Sequence, residues 1–256
     1  MKILICIKQV PDPEGIITIG ESASWIDFEG PYRMNRFDEF ALEEALRIRE
    51  QISVESIDAL SVGPARAEST IRKALETGAS RGIHILTEDS DDISAFETAS
   101  LIASHCRKES YDLILAGVMA EDDMRSQVGQ MIAEMLGYPS ASSVIYEEID
   151  PEKGTLFAER EIEAGKRECL EMKLPALLTI QSGINRPRYP ALSNVLRARK
   201  QEITTIPSHT LHKPEKRERI VTLQYPEATS KGIFLEGDVK EKARALIQIL
   251  HERSII

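Results

Sequence analysis

The residues best suited to chemistry lie in one run, Gly117-Val118-Met119-Ala120-Glu121-Asp122-Asp123-Met124-Arg125-Ser126-Gln127-Val128-Gly129. Gly117 lets a backbone approach a ligand closely. Ser126 and Gln127 set a hydroxyl and an amide beside the opening turn of a helix predicted over 124–136, and exposed N–H groups at such a turn attract an anion such as phosphate. Asp122, Asp123 and Ser126 also suit a plainer role as helix caps, and both readings stand at this level. Two further loops end strands in the same way, Lys8-Gln9-Val10-Pro11-Asp12 and Ser61-Val62-Gly63-Pro64. Enzyme constellations are missing. The chain contains no GxGxxG, GxxxxGK[ST], nucleophile elbow, HExxH or EF-hand loop. His84 falls within a predicted strand and His105 on a predicted helix, while His209 and His212 sit on a proline-flanked stretch without an acidic or cysteine partner. Cys6, Cys106 and Cys169 are odd in number and far apart, which argues against a disulfide framework or a zinc site and fits a reducing cytoplasm.

These loops need a scaffold, and the composition supplies an ordinary one. The 256 residues are 42% apolar and 29% charged, with a formal net charge of −10. Apolar runs such as ILICI (3–7) and PALLTI (175–180) are too short for a bilayer, and Met1-Lys2 leads straight into a strand-like run without a leader pattern. The acidic balance disfavours nucleic acid as a partner. Charge is uneven: residues 186–219 hold nine Lys/Arg against three Glu, a local +6 that leaves −16 for the rest. Such a stretch is either a contact surface for something acidic or a solvated basic linker.

Up to residue 180 the pattern is β-α repeated. Strands are predicted over 3–7, 57–62, 83–87, 111–116 and 177–180, and helices over 37–50, 65–76, 93–107 and 124–136, with Gly78 and Gly137 as helix stops. Residues 155–162 and 167–172 alternate around Glu163-Ala164-Gly165-Lys166 and predict a hairpin. The fold class is therefore α/β, a mostly parallel doubly wound sheet of nucleotide-binding type with an added β-hairpin and an extended C-terminal arm ending in a helix. Ligands of such sheets bind at the carboxyl ends of the strands. The chain divides into an α/β nucleotide-binding domain (1–184) and an arm (185–256). Pro187, Pro190, Pro207, Pro214 and Pro226 break the arm before a final helix over 239–253, whose stripe is Ala243, Leu246, Ile247 and Leu250. An arm without a core of its own has to lie on its own domain or on another chain.

Four segments resemble the β subunit of electron transfer flavoprotein: KILICIKQVPD at the start, MNRFDEFALEEALRIRE at 34–50, DLILAGVMAEDDMRSQVGQMIAEMLGYP at 112–139 and LPALLTIQSGINRPRYPALSNVLRARK at 174–200. The hairpin followed by Lys173-Leu174-Pro175-Ala176 resembles the family's signature region, with Glu163-Ala164-Gly165 where an acid and two glycines are usual. The resemblance implies an electron carrier rather than an enzyme, one half of an αβ heterodimer whose FAD is held mainly by the α subunit. It implies electron donors of the acyl-CoA dehydrogenase type, a membrane-associated quinone oxidoreductase as acceptor, no insertion of this chain into the membrane, and a structural AMP in the β subunit. By matching position the AMP pocket involves Cys6, Asn35, Arg36, Phe37, Asp38 and Val62. From the long loop it takes Gly117, Val118, Met119, Ala120, Asp122, Asp123, Arg125, Ser126, Gln127 and Val128. The family meets the phosphate with Asn-Gln-Thr; here Val128 lacks the hydroxyl, and Arg125 or backbone N–H groups make up the lost contact. Phe37 matches an aromatic near the flavin, a position that a plain core residue also fits.

Residues 189–200 resemble the family's recognition loop, in which a leucine anchors the dehydrogenase. Here it is Leu192, beside Tyr189 and flanked by Arg188, Arg197, Arg199 and Lys200. An apolar anchor lengthens the encounter while a basic rim steers acidic partners. Bifurcating relatives hold a second FAD in place of AMP and use NAD. Their acid-glycine-acid turn reads Glu121-Asp122-Asp123 here, and residues 88–98 (EDSDDISAFET) lack their usual motif, although Gln127-Val128-Gly129 is spelled as in them. AMP is the expected occupant and a second FAD the alternative. A free-standing nucleotide-binding α/β protein is the reading from a different class.

Overall fold

The computed structural model describes residues 1–21, 26–88, 93–212, 216–218, 220–226 and 232–256. Part of the 88–98 comparison and the arm residues Lys213, Pro214, Glu215 and Arg219 lie outside them.

The first strand, β1 (Lys2–Cys6), is followed by short strands β2 (Gln9–Pro11), β3 (Ile16–Ile19), β4 (Ile26–Glu29) and β5 (Tyr32–Met34), then helix α1 (Arg36–Gln51). Next come β6 (Ser56–Gly63), α2 (Glu68–Thr77), β7 (Arg81–Leu86), α3 (Ala95–Cys106), β8 (Leu113–Gly117) and α4 (Val128–Leu136). Strands β9 (Ser140–Asp150), β10 (Thr155–Ile162), β11 (Lys166–Lys173) and β12 (Ala176–Ile180) follow, then α5 (Leu192–Ala198), β13 (Ile203–Pro207) and α6 (Val239–Glu252). The main sheet has the order β11-β10-β9-β12-β8-β1-β6-β7-β13. Every pairing from β9 to β13 is parallel, and only β9-β10-β11 is antiparallel. The mostly parallel α/β sheet with an added hairpin is as expected.

Both faces of the central strands are covered, and β1 shows why its residues form an unbroken apolar run. Ile3 and Ile5 pack with Leu42, Leu46, Ile71 and Leu75 of α1 and α2 on one side. Leu4 and Cys6 pack with Leu101 and Ile102 of α3 and with Ile132 of α4 on the other. A strand buried on both faces has no polar alternation to show. At its amino end, the sheet is clasped around the fully buried Asp58, which accepts two hydrogen bonds from the Arg81 guanidinium and one, 2.9 Å long, from the Tyr111 hydroxyl.

Two sequence expectations need correction, and a third gains a strand. The helix predicted over 124–136 begins only at Val128, because Met124 and Ser126 have φ of 51° and 53°, left-handed backbone that cannot join an α-helix. The stretch after Asn185 does not leave the β-α pattern at once. Helix α5 packs on α2, and β13 becomes the edge of the sheet beside β7, with Ile203 opposite Gly82 and Ile206 opposite Ile85. The predicted hairpin also has a third member, the long β9, which carries it onto β12. The terminal helix forms as expected. Asp238 and Glu241 build a capping box at its start, and none of its residues is buried.

Candidate functional site

The carboxyl ends of β1 and β8 meet the first turn of α1, and buried polar side chains bind them together. Asp38 accepts the Lys8 N–H at 2.7 Å and the Gly117 N–H at 2.9 Å, which ties the ends of β1 and β8 to α1. Burial pushes its carboxyl up from 3.8 to about 7, against the pull of those donors. Asn35 donates to the Met119 carbonyl at 2.9 Å and accepts the Glu121 N–H at 3.1 Å. The long loop after β8 is thus held at three points by the residues that open α1.

The acidic turn of that loop is neutralised from the opposite side. The Lys8 ammonium donates to Asp122 at 2.8 Å and to Asp123 at 3.2 Å. Glu121 accepts from the Arg33 guanidinium at 3.1 Å and from the Arg36 N–H at 3.2 Å. Lys8 and Arg33 are the functional-region residues that sequence reasoning left without a role. Their only signal was a basic residue near a strand end, and their partners lie 114, 115 and 88 positions away.

Gly117 also packs tightly against α1. A Cβ there would stand 2.5 Å from Asp38 Oδ1 and 2.6 Å from Phe37 Cβ, so this approach by itself requires glycine. Cys6 and Val118 are buried, Val62 and Phe37 half-buried, and Met119 and Ala120 form the partly exposed shoulder of the loop. Arg125 is paired with Glu218 of the arm at 3.2 Å. Ser126 is half-buried, and Gln127 stands at the start of α4 without capping it by its side chain, so the first N–H groups of that helix keep their donors. The buried Ser61 hydroxyl, one residue past the Cys6–Leu60 pairing, has no partner, nor has the Thr87 hydroxyl at the end of β7. The uncapped N–H groups that open α4 are donors that fit a phosphate-bearing ligand. Burial raises the Cys6 thiol well above its ordinary value, so it stays protonated, and no group of potential metal ligands occurs among the described residues.

The basic loop splits into two kinds of residue. Arg188 forks onto Glu43 at 2.8 and 2.9 Å and reaches Glu50 at 2.7 Å. Arg197 donates to the Leu75 and Ala79 carbonyls at the end of α2, a favourable place for a cation. These two therefore hold the loop down. Arg199 and Lys200 are exposed and form no ion pair among the described residues. Tyr189 is 96% exposed and Leu192 75%. Leu196, four residues on and so on the same helix face, is 52% exposed, a second apolar residue that the sequence did not single out.

A profile of the Electron transfer flavoprotein domain matches residues 24–211. The chain is 30% identical to the electron transfer flavoprotein subunit beta of Methylophilus methylotrophus over 261 residues, covering 98% of each chain. It is 36% identical to the human subunit beta over 218 residues, covering 80% of this chain and 81% of the relative. It is 33% identical to the Dictyostelium discoideum subunit beta over 239 residues, covering 93% and 94%. No helix among the described residues is long and apolar enough to cross a membrane.

Proposed function

This chain belongs to the electron transfer flavoprotein family, as a beta subunit, and from that premise we propose that it pairs with an alpha subunit and supports electron transfer between acyl-CoA dehydrogenase-type flavoenzymes and a quinone oxidoreductase, in the cytoplasm. The observation that carries the pairing is α6. This capped helix presents Val239, Leu246 and Ile247 exposed, and it follows an arm in which Val221, Tyr225, Ile233 and Phe234 are also exposed. Large apolar side chains in such numbers favour a second polypeptide as their cover.

In this reading the strand-end loops hold an AMP, and FAD, bound mainly by the alpha subunit, supplies the one- and two-electron chemistry. The chain's own residues bind and position. The N–H groups that open α4, with Ser126, meet the phosphate. They replace the missing hydroxyl at Val128 better than Arg125 does, since Glu218 already engages that guanidinium. Asn35, Asp38 and Lys8 keep the loop in shape. Leu192 and Leu196 form the apolar anchor for the dehydrogenase, and Arg199 and Lys200 the free part of its basic rim. Glu121, Asp122 and Asp123 are already engaged by Arg33 and Lys8, which supports AMP over a second FAD.

Co-expression with an alpha subunit, followed by release of the bound nucleotides, tests this. One FAD and one AMP per heterodimer is the expected result. Two FAD would replace the AMP assignment with the bifurcating one, and a chain that stays monomeric and nucleotide-free would end the proposal.

A further inference from the structure

Between the first three turns of α1 and residues 183–187 lies an open cleft of about 810 Å³, lined chiefly by Arg36, Phe40, Glu43, Arg47, Ile184 and Arg186. Its acids are already engaged. Glu43 is clasped by Arg188, and Glu44, on the same helix, accepts from Asn185 at 2.7 Å and from Arg47 at 3.4 Å. The side chains of Arg36 and Arg186 form no ion pair among the described residues. The guanidinium groups of Arg36, which lies near Glu39 on its own helix, and of Arg186 thus flank a floor of Phe40 and Ile184, on a chain whose net charge is −10.

We propose that this cleft is a second docking point for the dehydrogenase, taking an acidic segment of its surface while Leu192 and Leu196 take an apolar pocket. The inference rests on the docking role proposed above and extends it to a different face of the loop. Pro187 lines the cleft and Leu192 follows five residues later, so the two lie no more than about 18 Å apart along an extended chain. That separation fits within one standard protein interface, which covers about 800 Å² on each partner. A guanidinium fork matches a carboxylate's two oxygens, and the apolar floor accommodates the methylene groups of a Glu side chain. An open cleft also leaves a small free anion largely hydrated, whereas a protein surface closes it. Charges of this kind contribute chiefly to the rate of encounter, as a carrier that has to leave again requires.

The test uses the flavin-loaded αβ complex and a medium-chain acyl-CoA dehydrogenase, reduced by its acyl-CoA substrate, as the probe. Arg186→Ala and Arg186→Glu are compared with Leu192→Ala across a series of salt concentrations. The expected result is a fall in kcat/KM of about fivefold for Arg186→Glu at low salt, with kcat little changed and a flatter salt dependence. Arg186→Ala should give a smaller fall, and alpha-subunit recovery, flavin and AMP content should match the wild type. Wild-type rates and salt dependence in both arginine variants, with Leu192→Ala slowed, would overturn the cleft and leave the docking loop standing. If Leu192→Ala is also without effect, the docking role itself fails and takes the cleft with it. Loss of the alpha subunit or of nucleotide in the arginine variants would assign the cleft to subunit assembly and overturn the proposal.

Discussion

Arg188 separates two accounts of the basic loop, one in which its charge meets a partner and one in which it holds the loop in place. Its guanidinium forks onto Glu43 at 2.8 and 2.9 Å, and its own N–H reaches the same carboxylate at 3.2 Å. The Glu43 side chain is 7% exposed and that of Arg188 35%. Removing one partner of a buried ion pair costs about 3–5 kcal/mol, because the other charge is left buried and unpaired. Arg188 is more than a third exposed, so solvent screening lowers the figure for Arg188→Ala to about 2–3 kcal/mol. The exposed Glu50 contact adds less than about 1 kcal/mol. A double-mutant cycle of Arg188→Ala and Glu43→Ala, followed by urea unfolding of the full chain alone and with its alpha subunit, should return a coupling of about 2 kcal/mol. Arg199→Ala serves as the exposed control, with an effect within about 0.5 kcal/mol. A coupling below about 0.5 kcal/mol would show an ordinary surface pair and refute the staple.

Asp38 gives a pH signature. Its folded-state pKa is raised by burial from 3.8 to about 7, so the folded chain keeps a proton that the unfolded chain releases. Its contribution is fully present below about pH 4 and is lost as pH rises through about 7; Asp38→Asn should flatten the unfolding free energy across that window, and an unchanged slope would count against the buried neutral acid. Glu147, pushed up to about 8 by burial and by Glu44, should behave alike, with Glu147→Gln removing a further part of the slope up to about pH 8. Tyr111→Phe removes one of the hydrogen bonds to the buried Asp58 and should cost about 1–3 kcal/mol in urea unfolding, without altering nucleotide content. Leu196→Ala should slow flavin reduction by the dehydrogenase as Leu192→Ala does, with thermal stability unchanged because both side chains are largely exposed.

Legibility differed from residue to residue along the chain. Buried strands such as β1 were plain because an unbroken apolar run has few other uses, and α6 was plain because its stripe and caps are local. Helix α4 was misjudged at its start, since Met124 and Ser126 are unremarkable by type and only their φ excludes them from the helix. Strand β9 went unread because its polar and half-buried residues resemble a loop until β10 and β12 pair with it. The candidate loop was marked by its glycine and by its small polar residues, and only the fold shows that Gly117 also makes room for Asp38 and Phe37.

By itself the amino-acid order determined the β-α rhythm, the family and the basic character of residues 186–219. All of these reside in short windows, where periods of two or 3.6 residues and runs of motif are visible to a reader of one dimension. Only the tertiary structure decided which charges are free. Arg188 and Arg197 have the same composition and spacing signals as Arg199 and Lys200, but Glu43, 145 positions away, and the end of α2, about 120 positions away, engage the first pair alone. Coulomb attraction and hydrogen bonding act over a few ångströms of space whatever the separation along the chain, so the division into staple and rim appears only once the sheet has brought α1, α2 and the loop together.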